Sequence, residues 1–267
     1  MLRLPRSNWH LSLVVLSCWL SMAVAEGSSL PDTIDLVRPS IVGVGTAYPP
    51  RQPNRKDNPV AYRGTGFVID NGLLVATNAH VIPTSLDKEN NQTIAVFTGE
   101  GNGARVVPAK VVLTDSQHDL ALLSLEGGPL PALRLGDASR VREGQDIAFT
   151  GFPIGMVLGL YPVTHRGIVS SITPIARPVE DARSLNAVQL AHLRRNRFDV
   201  FQLDATAYPG NSGSPVYDPK TGRVLGVINS VFVKESRESV LEKPSGITYA
   251  IPVNHLSDLI RRARTSD

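Results

Sequence analysis

Short apolar runs, rich in β-branched residues, alternate along this chain with stretches of glycine, proline and asparagine. Runs of this length between turn-forming residues are typical of β-strands. The pattern predicts strands at residues 41–44, 66–69, 73–76, 93–98, 104–113, 120–125, 146–150, 163–170, 200–204, 214–217, 224–232 and 248–251. Many short strands with glycine and proline between them favour an all-β barrel or sandwich.

Two stretches near the ends of this strand pattern predict helices. Residues 30–37 read as a short helical lead-in. Residues 254–264 place Leu256, Leu259 and Ile260 on one apolar face, as expected for a helix that packs against a core.

Three stretches between the strands predict loops. Residues 48–62 are rich in proline, arginine and asparagine, so they predict a long exposed loop, and residues 84–91 predict a shorter one. Residues 127–131, Gly-Gly-Pro-Leu-Pro, predict a connector between two groups of strands.

One internal stretch, residues 178–198, interrupts the strand pattern. Glu180 and Asp181 stand near its start and three arginines stand near its end. This arrangement suits the helix dipole, so the stretch predicts a helix inserted in a loop. Such a helix could gate a site or bind a partner, but a solvated surface helix is the simpler interpretation.

The N-terminal segment, residues 1–25, has the composition of a secretory signal peptide. Arg3 and Arg6 precede an apolar stretch at about 11–20, and small residues lead up to Ala25. About 20 apolar residues are needed to span a bilayer, and this stretch is shorter. We therefore favour cleavage after Ala25 over an uncleaved membrane anchor.

Cleavage at this place would change both the cysteine content and the charge. Cys18 is the only cysteine, so the mature domain would have no disulfide and would depend on core burial for its stability. Lipid attachment at Cys18 is a weaker alternative, because the apolar stretch continues past it. Removing two arginines and no acidic residue lowers the formal net charge from +3 to +1, so the sequence does not predict a nucleic-acid partner.

The candidate chemistry lies in residues 208–215, Tyr-Pro-Gly-Asn-Ser-Gly-Ser-Pro. Nearby glycines allow Ser212 to sit on a tight turn with its hydroxyl exposed and backbone N–H groups directed at one point. A serine becomes a nucleophile when a histidine base and an orienting carboxylate assist it. His80, where an apolar run breaks into small residues, and Asp119, at the start of another apolar run, are the candidates.

The order histidine, aspartate, serine is that of the chymotrypsin-like double barrel, whereas subtilisins and α/β-hydrolases use other orders. Asp115 stands close by, but the sequence Asp-Leu-Ala-Leu-Leu favours Asp119 as the partner of the histidine. A turn serine at Ser212 and a core histidine at His80 are the alternative interpretations, and the presence of all three motifs weakens both.

The remaining candidate ligands give no second site. Four other histidines have no catalytic context and are interpreted as surface or packing residues: His118, His165, His192 and His255. No histidine-cysteine cluster predicts zinc, and no glycine-rich strand-to-helix motif predicts a nucleotide. We therefore expect neither a metal nor a cofactor.

A series of short motifs, in this order and spacing, resembles the HtrA (Deg-type) serine proteases of the trypsin-like superfamily over nearly all of the mature length. The motifs are Gly64-Thr-Gly-Phe-Val-Ile69, Thr77-Asn-Ala-His-Val-Ile82, Asp119-Leu-Ala-Leu-Leu123, Leu135-Gly-Asp137 with Arg142-Glu-Gly-Gln-Asp146, Gly151-Phe-Pro-Ile-Gly155, Gly167-Ile-Val-Ser170, Gln202-Leu-Asp204 with Pro209-Gly-Asn-Ser-Gly213, and Tyr249-Ala-Ile-Pro252.

The resemblance implies an all-β fold of two perpendicular six-stranded β-barrels within a protease domain at 26–267. Barrel 1 is expected at about 38–126 and barrel 2 at about 132–253, followed by the helix at 254–264.

The resemblance also implies a catalytic triad of His80, Asp119 and Ser212 in the cleft between the barrels. The backbone N–H groups of Gly210 and Ser212 would form the oxyanion hole. The extended substrate would add as a β-strand beside the strand that runs from Asn229 to Val231.

Aligned in this way, the specificity pocket falls near Thr206 and Ala207, with Ile228 on its wall. None of these residues is acidic or a histidine, which argues against cleavage after lysine, arginine or glutamate. A small or medium apolar residue is the expected preference.

The implied function is an exported, periplasmic or secreted endopeptidase that acts on unfolded or misfolded polypeptides. A catalytically silent binding or chaperone-like module and an esterase using the same triad remain alternatives. No membrane partner is expected beyond an uncleaved signal anchor, and the oligomeric state is left open.

Three departures limit what the resemblance implies. Members of the family usually carry PDZ domains after the protease, and none is expected here. Ser214 replaces the usual glycine, which makes this run similar to the glutamyl endopeptidases as well. The helix predicted at 178–198 lies in a loop that takes part in activation in the family, and it is longer here than usual. As a separate point, Asn211 has no charge to capture a new N-terminal ammonium, so activation by propeptide removal is not expected.

Overall fold

The computed structural model describes residues 28–49, 60–153, 159–175, 198–229 and 247–265. The predicted signal peptide and all but the last residue of the predicted inserted helix lie outside these described residues. No helix within the described ranges is long and apolar enough to cross a membrane.

The first six strands form a closed barrel. They are β1 Ile41–Ala47, β2 Val60–Ile69, β3 Leu74–Thr77, β4 Thr93–Thr98, β5 Arg105–Asp115 and β6 Leu120–Leu125. Neighbouring strands pair antiparallel in the order β1-β2-β3-β6-β5-β4, and the pairing of β1 with β4 closes the barrel.

All seven residues of β1 are buried, because its two faces pack into different apolar clusters. Val42 and Val44 belong to a valine-rich cluster confined to the first barrel. Ile41, on the opposite face, joins a larger cluster that continues into the second barrel. Side chains alternate across a strand, so a strand between two cores reads as a continuous apolar run.

The remaining six strands form a second closed barrel. They are β7 Asp146–Gly151, β8 Val163–Ile175, β9 Phe198–Asp204, β10 Pro215–Tyr217, β11 Val224–Asn229 and β12 Ile247–Pro252. Their order is β10-β11-β12-β9-β8-β7, again with antiparallel neighbours. The predicted double barrel of six strands each is therefore confirmed.

The chain between the barrels is bonded to both of them. The Leu133 N–H donates to the Val68 carbonyl at 2.9 Å, while the Arg134 carbonyl accepts from the Val224 N–H at 2.9 Å. Leu133 itself is buried. This connector is therefore hydrogen-bonded to β2 of the first barrel and to β11 of the second.

In the described part of the chain, two α-helices flank the barrels, at the places that the sequence predicts. Helix α1, Leu30–Val37, begins after Ser29, whose N–H and hydroxyl both donate to the Asp32 carboxylate. Such a bond from the third helical residue back to the cap fixes the start of a helix.

Helix α2, Val253–Thr265, follows directly from β12 and buries its apolar face, including the three residues expected from the sequence. Its other contacts reach the first barrel. Arg262 lies 2.7 Å from the Asp115 carboxylate, and Arg264 lies 2.6 Å from that of Asp70. The helix therefore spans from one barrel to the other.

The exposed loop predicted at 48–62 is wrong at its C-terminal end, because β2 begins at Val60 rather than at residue 66. Val60 pairs with Ala47 to continue the hairpin with β1. Val60 and Tyr62 are partly buried, while Ala61 and Arg63 face solvent. This alternation is the usual pattern of a strand with one covered face, and composition concealed it.

Candidate active site

Ser212 follows a tight turn at residues 208–211. The Asn211 N–H donates to the Tyr208 carbonyl at 3.0 Å, and Gly210 has a φ of +101°. Proline at the second position and a glycine with positive φ at the third are the features of a type II turn. The sequence Tyr-Pro-Gly-Asn therefore dictates the local backbone that leads into the serine.

Gly213, after the serine, allows two segments of backbone to approach closely. Its φ is +89°, and an added Cβ would lie 2.0 Å from the Thr65 carbonyl oxygen. The Ser212 carbonyl in turn accepts from the Thr65 N–H at 2.8 Å. Any larger residue at 213 would push the serine away from β2.

The turn leaves two backbone donors unused. The N–H groups of Asn211, Gly213 and Ser214 donate to carbonyl groups. Within the part of the chain that the structure describes, those of Gly210 and Ser212 have no partner. An unpaired backbone donor is costly unless water or a ligand serves it, so these two groups are available to bind an oxygen atom of a ligand.

His80 lies on a short 3-10 turn, Ala79–Val81, directly after β3. Its side chain is 30% exposed, whereas the following Val81 is buried in the first barrel. The backbone of Gly64 separates this segment from the serine, since an added Cβ there would lie 2.7 Å from Val81 and 3.0 Å from the Ser212 carbonyl oxygen. The segments that carry His80 and Ser212 are therefore neighbours.

Asp119 is buried and holds the histidine at two points. Its carboxylate accepts from the His80 Nδ1 at 2.6 Å and from the His80 backbone N–H at 3.0 Å. Because a carboxylate can only accept, the ring is Nδ1-protonated and its Nε2 remains for another partner. Asp119 has a φ of +53°, a conformation that is rare outside glycine and clusters at functional sites.

Asn229 contributes a contact that the sequence did not reveal. Its side chain is fully buried, and its Nδ2 donates to the Asp119 carboxylate at 2.7 Å. The sequence placed Asn229 at the start of a substrate-binding strand. Its backbone does lie at the end of β11, but its side chain is turned towards Asp119, and residues 230–231 lie outside the described ranges.

The predicted pocket residues lie around the same turn. Ile228 is buried, and its carbonyl accepts from the Gly213 N–H at 3.0 Å. Ala207 is half-buried, and its N–H donates to the Thr248 hydroxyl at 3.1 Å. These contacts place both residues beside the serine loop, and their role in specificity stays a prediction.

Asp115, the rejected alternative to Asp119, forms a separate pair. Its carboxylate accepts from the His118 Nδ1 at 2.9 Å and from Arg262 at 2.7 Å. The His118 ring stacks on His255 with 3.9 Å between ring centroids, and Phe198 meets it edge-on at 4.8 Å. The interpretation of His118 and His255 as packing residues agrees with these contacts.

A small buried polar cluster lies behind the serine. Asn211 is fully buried, and neither of its amide atoms has a hydrogen-bond partner among the described residues; the same is true of the Ser214 hydroxyl. Both side chains crowd Gly151, where an added Cβ would lie 2.0 Å from the Ser214 Oγ and 2.9 Å from the Asn211 Oδ1. Buried polar atoms without partners are rare and cost stability.

Over the described ranges, the structure contains no group of histidine, cysteine, aspartate and glutamate side chains that could hold a metal ion. The groups that the site itself offers are an oriented imidazole, a buried carboxylate, a serine hydroxyl and two unused backbone donors.

Comparison with known proteins gives a family and a fold. Residues 64–227 match the family model of the trypsin-like peptidase domain. A solved structure of the HtrA-type protease AlgW with a decapeptide superposes with a TM-score of 0.63 at 23% identity, over 89% of this chain and 68% of that one. This likeness shows the fold.

Curated relatives are similar in sequence. The mitochondrial serine protease HTRA2 of Drosophila willistoni is 31% identical over 76% of this chain and 39% of its own length. A probable periplasmic DegP-like serine endoprotease of Halomonas elongata is 29% identical over 75% of this chain and 35% of its own length. The chain thus matches well under half the length of these relatives.

Proposed function

The chain belongs to the trypsin-like peptidase family, within which it resembles the HtrA-type serine proteases, and from this membership we propose that it is an exported serine endopeptidase that hydrolyses unfolded or misfolded polypeptides. The observation that carries the proposal is that the buried Asp119, whose carboxylate is bonded by the neutral amide of Asn229, contacts His80 Nδ1 at 2.6 Å on a segment that neighbours Ser212.

In the proposed reaction, His80 Nε2 accepts the proton of the Ser212 hydroxyl as the oxygen attacks the carbonyl carbon of a peptide bond. The tetrahedral intermediate then breaks its C–N bond, and the same proton passes to the leaving amine. Water, activated by His80 in the same way, hydrolyses the acyl-enzyme and restores Ser212.

Asp119 keeps the imidazole in the required tautomer and stabilises its charged form. The amide of Asn229 and the backbone N–H of His80 each bond one oxygen of the carboxylate. These donors are neutral, so the negative charge of the carboxylate is not cancelled and remains available to the imidazolium. A fixed carboxylate of this kind orients the base without becoming protonated itself.

The unused N–H groups of Gly210 and Ser212 would bind the oxyanion of the intermediate. Each donor of such a hole contributes on the order of 3 kcal/mol to transition-state stabilisation in comparable enzymes. A fixed pair needs no reorganisation during the reaction, and this is the advantage of placing it on a tight turn.

The substrate class and the location follow from weaker arguments. An extended polypeptide would pair with the substrate-binding segment expected from Asn229 to residue 231, and such binding favours unfolded chains because folded ones rarely present a free strand. The relatives are named periplasmic in bacteria and mitochondrial in flies, and the N-terminal segment resembles an export signal.

Labelling with a fluorophosphonate probe tests the proposal, with casein digestion as the second measurement. We expect the wild type to label and to digest casein, the Ser212→Ala variant to do neither, and the Ser214→Ala variant to behave like the wild type. Ser214 is a matched control, since it lies two residues away and its buried hydroxyl has no partner among the described residues.

Two results would contradict the proposal. A wild-type protein that is folded but neither labels nor digests casein would instead be a silent binding module. A protein that labels and hydrolyses ester substrates while leaving casein intact would be an esterase.

A further inference from the structure

Two hydroxyl groups of β2 converge on one carbonyl oxygen of the serine loop. The Tyr62 hydroxyl and the Thr65 Oγ1 each lie 2.8 Å from the Gly210 carbonyl oxygen. The two side chains come from the first barrel and Gly210 from the second, 148 and 145 residues further along the chain. The contact therefore joins the barrels at the turn that precedes Ser212.

Phe152, at the end of β7, completes the same cluster. Its N–H donates to the Thr65 Oγ1 at 3.0 Å, and its carbonyl oxygen lies 3.0 Å from the Tyr62 hydroxyl. The rings of Tyr62 and Phe152 meet edge to face, with centroids 6.3 Å apart. We call the four residues Tyr62, Thr65, Phe152 and Gly210 the inter-barrel clasp.

Counting donors shows how the clasp is satisfied. Two hydroxyl protons serve two carbonyl oxygens, those of Gly210 and Phe152. Thr65 donates to Gly210, and the Tyr62 hydroxyl lies within reach of both carbonyl oxygens and, at 3.1 Å, of the Thr65 Oγ1. Burial raises the pKa of Tyr62 above its ordinary value, so its hydroxyl keeps its proton and remains a donor at working pH.

Both residues that offer unused N–H groups are held by β2 through their carbonyl groups. The Gly210 carbonyl is bound by the clasp, and the Ser212 carbonyl accepts from the Thr65 N–H at 2.8 Å. A glycine with a φ of +101° has no side chain of its own to fix its position. The spacing between the two donors is thus set by a strand of the other barrel.

We propose that Tyr62 and Thr65 are positioning residues for the oxyanion hole, which hold the Gly210 N–H in place relative to the Ser212 N–H. This inference rests on the proposed function and assigns to β2 a part in catalysis beyond packing. Neither side chain touches the reacting atoms, so their loss should weaken transition-state binding and leave ground-state binding of the peptide unchanged.

The test compares kcat and KM for a peptide substrate in four variants. Tyr62→Phe keeps the ring packing and removes one hydroxyl, and we expect kcat to fall about tenfold with KM within about twofold, as for the loss of one hydrogen bond. Thr65→Val should cost at least as much, because it removes a donor to Gly210 and the acceptor of Phe152. Thr65→Ser, which keeps the hydroxyl, should restore most of kcat.

Tyr217→Phe is the matched control. Tyr217 is a fully buried tyrosine of the second barrel, and its hydroxyl lies 2.8 Å from that of Thr150. Removal of the Tyr217 hydroxyl should lower the urea midpoint of unfolding about as much as Tyr62→Phe does. If the role of Tyr62 were only structural, the two variants would have the same kcat.

The outcomes separate this inference from the proposed function. A wild-type protein without peptidase activity would remove the proposed function itself. A wild type that is active, together with Tyr62→Phe and Thr65→Val variants whose kcat equals that of Tyr217→Phe, would overturn the positioning role alone. A Thr65→Val protein that does not fold leaves Tyr62→Phe to decide.

Discussion

Among the described residues, two aspartates four positions apart each pair with a histidine, Asp115 with His118 and Asp119 with His80, and we propose a catalytic role for the second pair alone. The carboxylate-to-Nδ1 distances are similar, at 2.9 and 2.6 Å. The surroundings differ. The Asp115 carboxylate also binds the charged Arg262. The Asp119 carboxylate instead accepts a hydrogen bond from the neutral amide of Asn229.

This difference decides what each histidine can do. An arginine neutralises the carboxylate that it touches, so little negative charge is left for an imidazolium. His118 is in addition enclosed by the rings of His255 and Phe198, while 30% of the His80 side chain is exposed next to the serine loop. A close contact between aspartate and histidine is therefore not sufficient evidence of a catalytic base.

Replacing each aspartate by asparagine is the strongest way to test the contrast. Asp119→Asn keeps the shape but offers a donor where the ring needs an acceptor, so we expect kcat to fall about 10⁴-fold, as for the equivalent change in a triad. Asp115→Asn should leave kcat within about twofold and lower the free energy of unfolding by about 1–3 kcal/mol, the cost of a disturbed buried hydrogen-bond network. Casein hydrolysis and urea denaturation measure the two effects, and a large loss of activity in Asp115→Asn would refute the division of roles.

The neighbouring arginines of α2 give a smaller effect. Arg262 reaches the buried Asp115 carboxylate, while Arg261 pairs with the exposed Asp258. We expect Arg262→Gln to lower the free energy of unfolding by about 1 kcal/mol and Arg261→Gln by less than about 0.5 kcal/mol, since both arginines are more than half exposed and solvent screens their charge.

The effect of Arg262→Gln should also depend on pH. Burial raises the pKa of Asp115, but hydrogen bonds from His118 and the charges of His118 and Arg262 outweigh it, and the pKa lies below its ordinary 3.8. A carboxyl with a lowered pKa stabilises the fold above its unfolded value and loses this contribution as the pH falls through the folded value. Urea midpoints of wild type and Arg262→Gln should therefore converge as the pH falls below the ordinary 3.8, and a constant difference would argue against a charge effect.

The smallest expected effect concerns His255. Burial, and then the charge of His118, lower its pKa below the ordinary 6.5. Between the folded and unfolded pKa values the unfolded chain binds more protons, so stability should decrease as the pH falls below about 6.5. His255→Gln should reduce the change in urea midpoint between pH 7.5 and 5.5, though not abolish it, because burial also lowers the pKa of His165. An unchanged pH dependence would contradict this contribution.

The sequence predicted the parts of the fold and site that depend on local pattern. Apolar runs located each strand that the structure describes, and Gly210 and Gly213 indicated the tight turn at Ser212. The long loop predicted before β2 was wrong at its end because its composition hid the alternation from Val60 onward.

Two contacts between distant segments could not be predicted. Asn229 lies 110 residues from Asp119, and Tyr62 lies 148 residues from Gly210. An asparagine at the end of a strand and a tyrosine at the start of another carry no local signal of a partner, since the contact depends on how the barrels pack together.

Helix α2 also has a consequence for the order of folding. It extends from the second barrel, yet Arg262 and Arg264 bind carboxylates that precede them by 147 and 194 residues. Contacts of such long sequence separation close only after most of the chain has collapsed, and they slow folding. During synthesis on the ribosome, the surface of the first barrel around Asp70 and Asp115 therefore stays uncovered by helix α2 until residue 264 has emerged. It is accessible to chaperones and proteases during that time.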